Sequence, residues 1–95
     1  MGSAGGEHRV EVTIGNRLGL HARASAKLVA LSNRFRSEIS ITKGGVCVNG
    51  KSILGVMMLA AAKGERLTLT ARGDDAEAAV TALAGLIADR FGEEA

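Results

Sequence analysis

Apolar Val10, Val12 and Ile14 alternate with polar Glu11 and Thr13, the two-residue period of a strand with one wet face. The period then changes: Ala24, Leu28, Leu31 and Phe35 step by four, three and four, with no glycine or proline between them. That spacing predicts an amphipathic helix over about 22–33. Alternation returns where Ile39 and Ile41 interleave with Ser40 and Thr42, and Gly44-Gly45 predicts a hairpin into a short third strand through Val48, closed by Asn49-Gly50. Ser52 is placed to cap a short helix over about 53–59, with Gly64 ending the segment. Leu67, Leu69 and Ala71 mark a fourth strand. Gly73-Asp74-Asp75 opens a last helix, with acids suited to its N-terminus and Ala76, Ala79, Val80, Leu83, Leu86 and Ile87 on one face.

The order is β-α-β-β-α-β-α. Four strands that each carry one apolar face predict an α+β fold, a four-stranded antiparallel sheet covered on one face by three helices. Ninety-five residues, 46% of them hydrophobic, make one small domain. Its expected extent is 8–95, with 1–7 a flexible native tail or a remnant of cloning.

Composition removes several classes of function. Phe35 and Phe91 are the only aromatic residues, too few for a platform that stacks nucleic-acid bases. A net charge of +2 with acids and bases interspersed favours acidic protein surfaces over nucleic acid. No run approaches the roughly eighteen apolar residues of a membrane span, so no membrane insertion and a cytoplasmic location are expected. A lone Cys47 has no internal disulfide partner, which fits a reducing compartment. Asp74, Asp75, Glu77, Glu93 and Glu94 read as scattered solvated acids. No metal site and no cofactor are expected.

The candidate chemistry lies in Gly19-Leu20-His21-Ala22-Arg23-Ala24-Ser25, where a loop becomes the first helix. Backbone N–H groups in a first turn have no intrahelical acceptor, and the helix dipole adds partial positive charge, so a dianion at the imidazole would be stabilised there. Arg23 can add a charge-assisted contact to the same oxygens. A solvated or capping histidine satisfies the same local pattern.

Gly19-Leu20-His21-Ala22-Arg23 resembles the active-site segment of the HPr family, the histidine-containing phosphocarriers of the bacterial phosphotransferase system. Asn49-Gly50-Lys51-Ser52-Ile53-Leu54-Gly55-Val56-Met57-Met58-Leu59 resembles the regulatory-serine segment of that family, and Ala62-Lys63-Gly64 the turn that follows it. The two segments stand in the family's order, within a resemblance running from about Val10 to Phe91. One position departs from the pattern: the family usually places proline after the arginine, and here Ala24 stands in its place. Alanine keeps the helix, so the open question is how rigidly the His21 loop is held.

The resemblance implies an open-faced β-sandwich and a phosphocarrier in which His21 takes a phosphoryl group, on Nδ1, with Arg23 balancing its charge. Enzyme I is the implied donor and the A-type domains of enzyme II are the acceptors. Ser52 is the implied regulatory phosphorylation site, with an HPr kinase/phosphorylase as its partner. Leu20, Lys27, Ile53, Leu54 and Met57 are the expected docking residues, and Arg17 a further rim charge. Met57 and Met58 are not expected to face outward together, so Met58 or Leu59 should turn inward. A carrier that meets two partners through one face is expected to be monomeric. A nitrogen-type phosphotransferase regulator of the same fold is the alternative, and it also needs His21. An acylphosphatase-like hydrolase would use an arginine at such a turn, but it requires a second polar group to orient water, and none is evident near Arg23.

Overall fold

The computed structural model describes residues 6–94. The chain runs β1 (Glu7–Thr13), α1 (Ala22–Ser32), β2 (Glu38–Lys43), β3 (Val46–Asn49), α2 (Ile53–Met58), β4 (Arg66–Arg72) and α3 (Ala76–Ala88), then closes in a tight turn at Arg90–Gly92. All seven expected elements form. The closing turn is the one element that periodicity did not predict.

The strands make one antiparallel sheet in the order β1-β4-β2-β3. Leu69 of the central β4 faces Val10 on one side and Ile41 on the other, so the apolar faces of three strands fall in register. Leu67, Leu69 and Ala71 are buried under the helices, while Arg66, Thr68, Thr70 and Arg72 point to the uncovered face or its margin. α3 lies across β1 and β4, and α1 packs between α3 and α2. The shared core includes Ile14, Leu28, Ile41, Val56, Leu83, Ile87 and Phe91. This is the expected α+β architecture with helices on one face of the sheet.

Two expectations about this frame need adjustment. Residues 1–5 of the expected tail lie outside the described residues, but Glu7 belongs to β1, where its carboxylate pairs with Arg72 at 3.1 Å and with Arg9 at 3.3 Å. The strand therefore begins inside the segment assigned to the tail. Leu59 does turn inward, yet Met57 and Met58 both stay exposed, at 39% and 76%. A six-residue helix on the margin of the domain offers one inward position, taken by Val56. Successive residues are about 100° apart around a helix, so both methionines fall on its outer arc.

Candidate functional site

The loop before α1 is built from backbone requirements. Gly19 has φ +65°, and a Cβ there would meet the Ala61 carbonyl oxygen at 2.4 Å, so the turn needs glycine. The Leu20 amide donates to that same carbonyl oxygen at 2.9 Å, stitching the loop to the chain just after α2. Asn16 is fully buried, and its Nδ2 donates to Gly19 O at 2.8 Å. Ser25 Oγ donates to Leu20 O at 3.1 Å, closing the loop from the helix side. The loop is thus held at several points without a proline, and Ala24 sits fully buried in the first turn.

His21 is the N-cap of α1, with extended backbone at φ −72° and ψ 178°. Its carbonyl accepts the first helical bond, from Ser25 N at 2.9 Å, so the amides of Ala22, Arg23 and Ala24 precede any intrahelical donor. The side chain makes no cap bond. It projects instead into an open depression of about 540 Å³ lined by Arg17, Leu18, His21, Ala22, Arg23 and Glu93. The imidazole is 27% exposed, within reach of a docking protein.

The ring is held from one side. Nε2 lies 2.6 Å from Glu93 Oε2. An ionised carboxylate has no proton to give, so Nε2 is the donor and carries the ring proton. Nδ1 makes no hydrogen bond among the described residues, leaving it as the unengaged ring nitrogen. Asn16 Nδ2 donates to Glu93 Oε1 at 3.1 Å, so both carboxylate oxygens are engaged. The His21 hydrogen bond is the largest influence holding the Glu93 carboxyl below its ordinary range; partial burial opposes it, and the Asn16 bond and the nearby Lys27 charge add to it.

A carboxyl with a lowered folded-state value stabilises the fold above the ordinary glutamate range and loses that contribution as pH falls through the lowered value. The tail contact should therefore persist at neutral pH and open only in acid, below the ordinary glutamate range. In an NMR titration the signals of Glu93 and of the His21 loop should move together in that window. Tail signals that stay unchanged there would contradict the contact.

The structure redistributes the candidate residues. His21 and Arg23 share the depression, and Arg23 is exposed there with Arg17. Leu20 is not a docking residue: it is only 5% exposed. Extended backbone sends successive side chains to opposite sides, so Leu20 enters the core where His21 leaves it. Lys27 is not a free rim charge either, because its Nζ donates to Phe91 O at 2.7 Å. Ile53, Leu54 and Met57 are exposed, as are Leu18 and Met58. Ser52 caps α2, with its Oγ accepting from Gly55 N at 3.1 Å.

Glu93 and Asn16 are the site residues that sequence reasoning missed. Glu93 is not a solvated acid, and neither is Asp75, whose carboxylate accepts from the Arg36 and Ser37 amides and ties the start of β2 to the start of α3. Among the described residues there is no cluster of three or more potential metal ligands, and no helix is long and apolar enough to cross a membrane.

A family model described as the PTS HPr component phosphorylation site matches residues 8–89. The chain is 53% identical to the phosphocarrier protein HPr of Cupriavidus necator over 83 residues, 87% of this chain and 93% of that protein. It is 43% identical to the phosphocarrier protein NPr of Shewanella violacea, over 87% of this chain and 91% of that one. Among solved structures, an HPr from Thermoanaerobacter tengcongensis superposes with a TM-score of 0.90 at 43% identity, covering 93% of this chain and 99% of that one. An HPr dimer from the same organism superposes at 0.74 with 44% identity, over 88% and 97% of the two chains.

Proposed function

The chain belongs to the HPr family of phosphotransferase-system phosphocarriers, and from that premise we propose that His21 carries the phosphoryl group on Nδ1, taking it from enzyme I and passing it to A-type domains of enzyme II. The observation that supports this reading is the division of the ring: Nε2 is committed to Glu93, while Nδ1 has no hydrogen-bond partner among the described residues, in a depression that His21 shares with Arg23. A phosphoryl carrier needs position and charge balance more than further covalent machinery. The helix N-terminus contributes about 0.3–1 kcal/mol toward an anion at an exposed site. Arg23 and Arg17 line the same depression and supply the remaining positive charge. Mixing the chain with phosphoenolpyruvate and an enzyme I should add the mass of one phosphate in acid-labile form; no increment, or an acid-stable one, contradicts the reading.

Docking falls to the exposed Ile53, Leu54 and Met57, with the likewise exposed Met58 on the same short helix. Two partners that use this one apolar surface in turn are best served by a monomer. Those proposed partner reactions fit a carrier that works in the cytoplasm.

Ser52 lies within that surface and is proposed as a regulatory site for an HPr kinase/phosphorylase. A phosphate there would bring roughly −1.5 to −2 charge to the start of α2. The fold tolerates the charge, because Oγ already accepts a backbone N–H. Docking does not, since the dianion must be desolvated between apolar side chains. Ser52→Asp should keep the cap and slow phosphoryl transfer on the order of tenfold. Ser52→Ala should transfer normally while losing about 1 kcal/mol of stability with the cap. Equal transfer rates for the two variants remove the regulatory role.

A nitrogen-type regulator would use the same His21 chemistry, and the NPr relative keeps that reading in view. Identifying which proteins accept phosphate from the chain separates the two.

A further inference from the structure

α2 is too short to orient itself. Among its six residues only Val56 is buried, and a helix this short leaves its last carbonyls without intrahelical donors. Those carbonyls are taken up from the sheet. Ile39 and Ile41 are buried on the covered face of β2, and alternation puts Lys43 on the same face at the strand's end. Its Nζ donates to Leu59 O at 2.9 Å and to Ala60 O at 3.3 Å, and it pairs with Glu65 Oε1 at 3.0 Å.

The two carbonyls that Lys43 holds lie on either side of a strained residue. Ala60 has φ +49°, left-handed backbone that is unfavourable for a residue with a Cβ and persists only where its surroundings impose it. Leu59 O belongs to the peptide plane before Ala60, and Ala60 O to the plane after it. One ammonium therefore holds both planes, and with them the direction in which the chain leaves α2. Glu65, paired with the same ammonium, accepts from Ala62 N at 2.7 Å, so the segment is gripped on its far side too. Between these points lies Ala61, whose carbonyl oxygen receives the Leu20 amide at 2.9 Å. The docking helix and the loop that carries His21 thus meet at one short stretch of backbone, and Lys43 fixes it.

We propose that Lys43 is a positioning residue for phosphoryl transfer, setting the spacing between the exposed apolar side chains of α2 and the imidazole of His21. The kinetic consequence rests on the phosphocarrier reading; the positioning itself rests on geometry. A partner seated on Ile53, Leu54 and Met57 presents its phosphoryl group at a place defined by α2, while the nucleophile is held by the loop. In the accepting step the Nδ1 lone pair forms a bond to phosphorus as the donor's bond to phosphorus breaks, its electron pair staying with the donor. Displacement needs the attacking atom, phosphorus and the departing atom in line, and a misplacement on the order of 1 Å costs about 10²-fold. Lys43 lines no part of the depression around His21, so its contribution is alignment alone.

The test compares the full chain with Lys43→Met, which keeps the alkyl stem and removes every donor, and with Lys43→Gln, a milder change that keeps N–H donors. Single-turnover transfer from phosphorylated enzyme I is followed at rising concentrations of each chain, at a temperature where melts show every chain folded. The rate at saturation should fall about tenfold in Lys43→Met and by a smaller factor in Lys43→Gln. Half-saturation should stay within about twofold of the parent, because the docking side chains are untouched. Lost stability alone acts differently: a partly unfolded carrier needs a higher concentration to reach the same saturating rate.

Two further readouts address the backbone that Lys43 holds. With the lysine in place, Ala60→Gly should transfer within about twofold of the parent; combined with Lys43→Met, it should slow transfer beyond Lys43→Met alone. Hydrogen exchange at the Leu20 amide should speed up about tenfold in Lys43→Met. Parental saturating rates in both lysine variants, or a change confined to half-saturation, overturn the proposal while leaving His21 as carrier. Faster Leu20 exchange in a chain that never accepts phosphate upholds the positioning and removes the carrier reading instead.

Discussion

His21→Ala should take up no measurable phosphate from phosphoenolpyruvate and enzyme I. Among the described residues that line the depression, no other side chain offers a nitrogen lone pair for attack. The other lining residues are Arg17, Leu18, Ala22, Arg23 and Glu93. Guanidinium groups are permanently charged and carry no lone pair for attack, and the Glu93 carboxylate is tied up at both oxygens. The loss should be on the order of 10⁴-fold or more, as for other nucleophiles removed from a site that otherwise stays intact. The fold itself should barely notice. The imidazole provides no helix cap, and its bond to Glu93 is a single, partly exposed hydrogen bond. Labelling and thermal melts on the same preparation separate the two effects. A folded His21→Ala protein that labels like the parent would mean that the phosphoryl group sits elsewhere.

Phe91→Ala should produce the largest loss of stability among single substitutions at the site. Phe91 is the largest fully buried side chain, and it lies beyond the last helix, where it fastens the chain's final reversal to the core. Truncating a buried phenylalanine to alanine costs about 3–5 kcal/mol, the sum of lost transfer energy and the cavity left behind. A domain of this size has only about 5–15 kcal/mol in total, so the variant should unfold at markedly lower urea. The left-handed backbone at residues 90–91 depends on the same anchor. Its loss should free Glu93 and weaken the hold on His21 even where the rest of the fold survives. A cost below about 1 kcal/mol would show that the cavity closes or that the turn is held by other contacts.

These two residues mark what local sequence does and does not reveal. The strands and helices are legible because each rests on a short-range period: Val10 and Val12 in β1, Leu28 in α1, Leu67 and Leu69 in β4. Ser52 is legible as a cap for the same reason, since its bond spans three residues. His21 and Arg23 stand out through a motif whose geometry is contained within one loop and one helical turn.

Direction is harder to read than position. Leu20 adjoins the reactive residue in sequence but faces the core, because extended backbone alternates its side chains. Lys27 has the composition of a rim charge, and its ammonium instead closes a contact 64 residues away. Glu93 has no local signature at all. Only its approach hints at the outcome: an apolar Phe91 past the helix end, followed by Gly92, is the pattern of a chain that turns back to bury one more side chain. Its destination at His21 depends on where three other elements meet.

Phosphorus–nitrogen correlation NMR on the phosphorylated, nitrogen-15-labelled chain locates the new bond atom by atom. Phosphorus coupled to Nδ1 of His21, with Nε2 still bearing its proton, is the expected result. Coupling to Nε2, or phosphorus attached to any other residue, would contradict a carrier whose ring is held by Glu93 and opened at Nδ1.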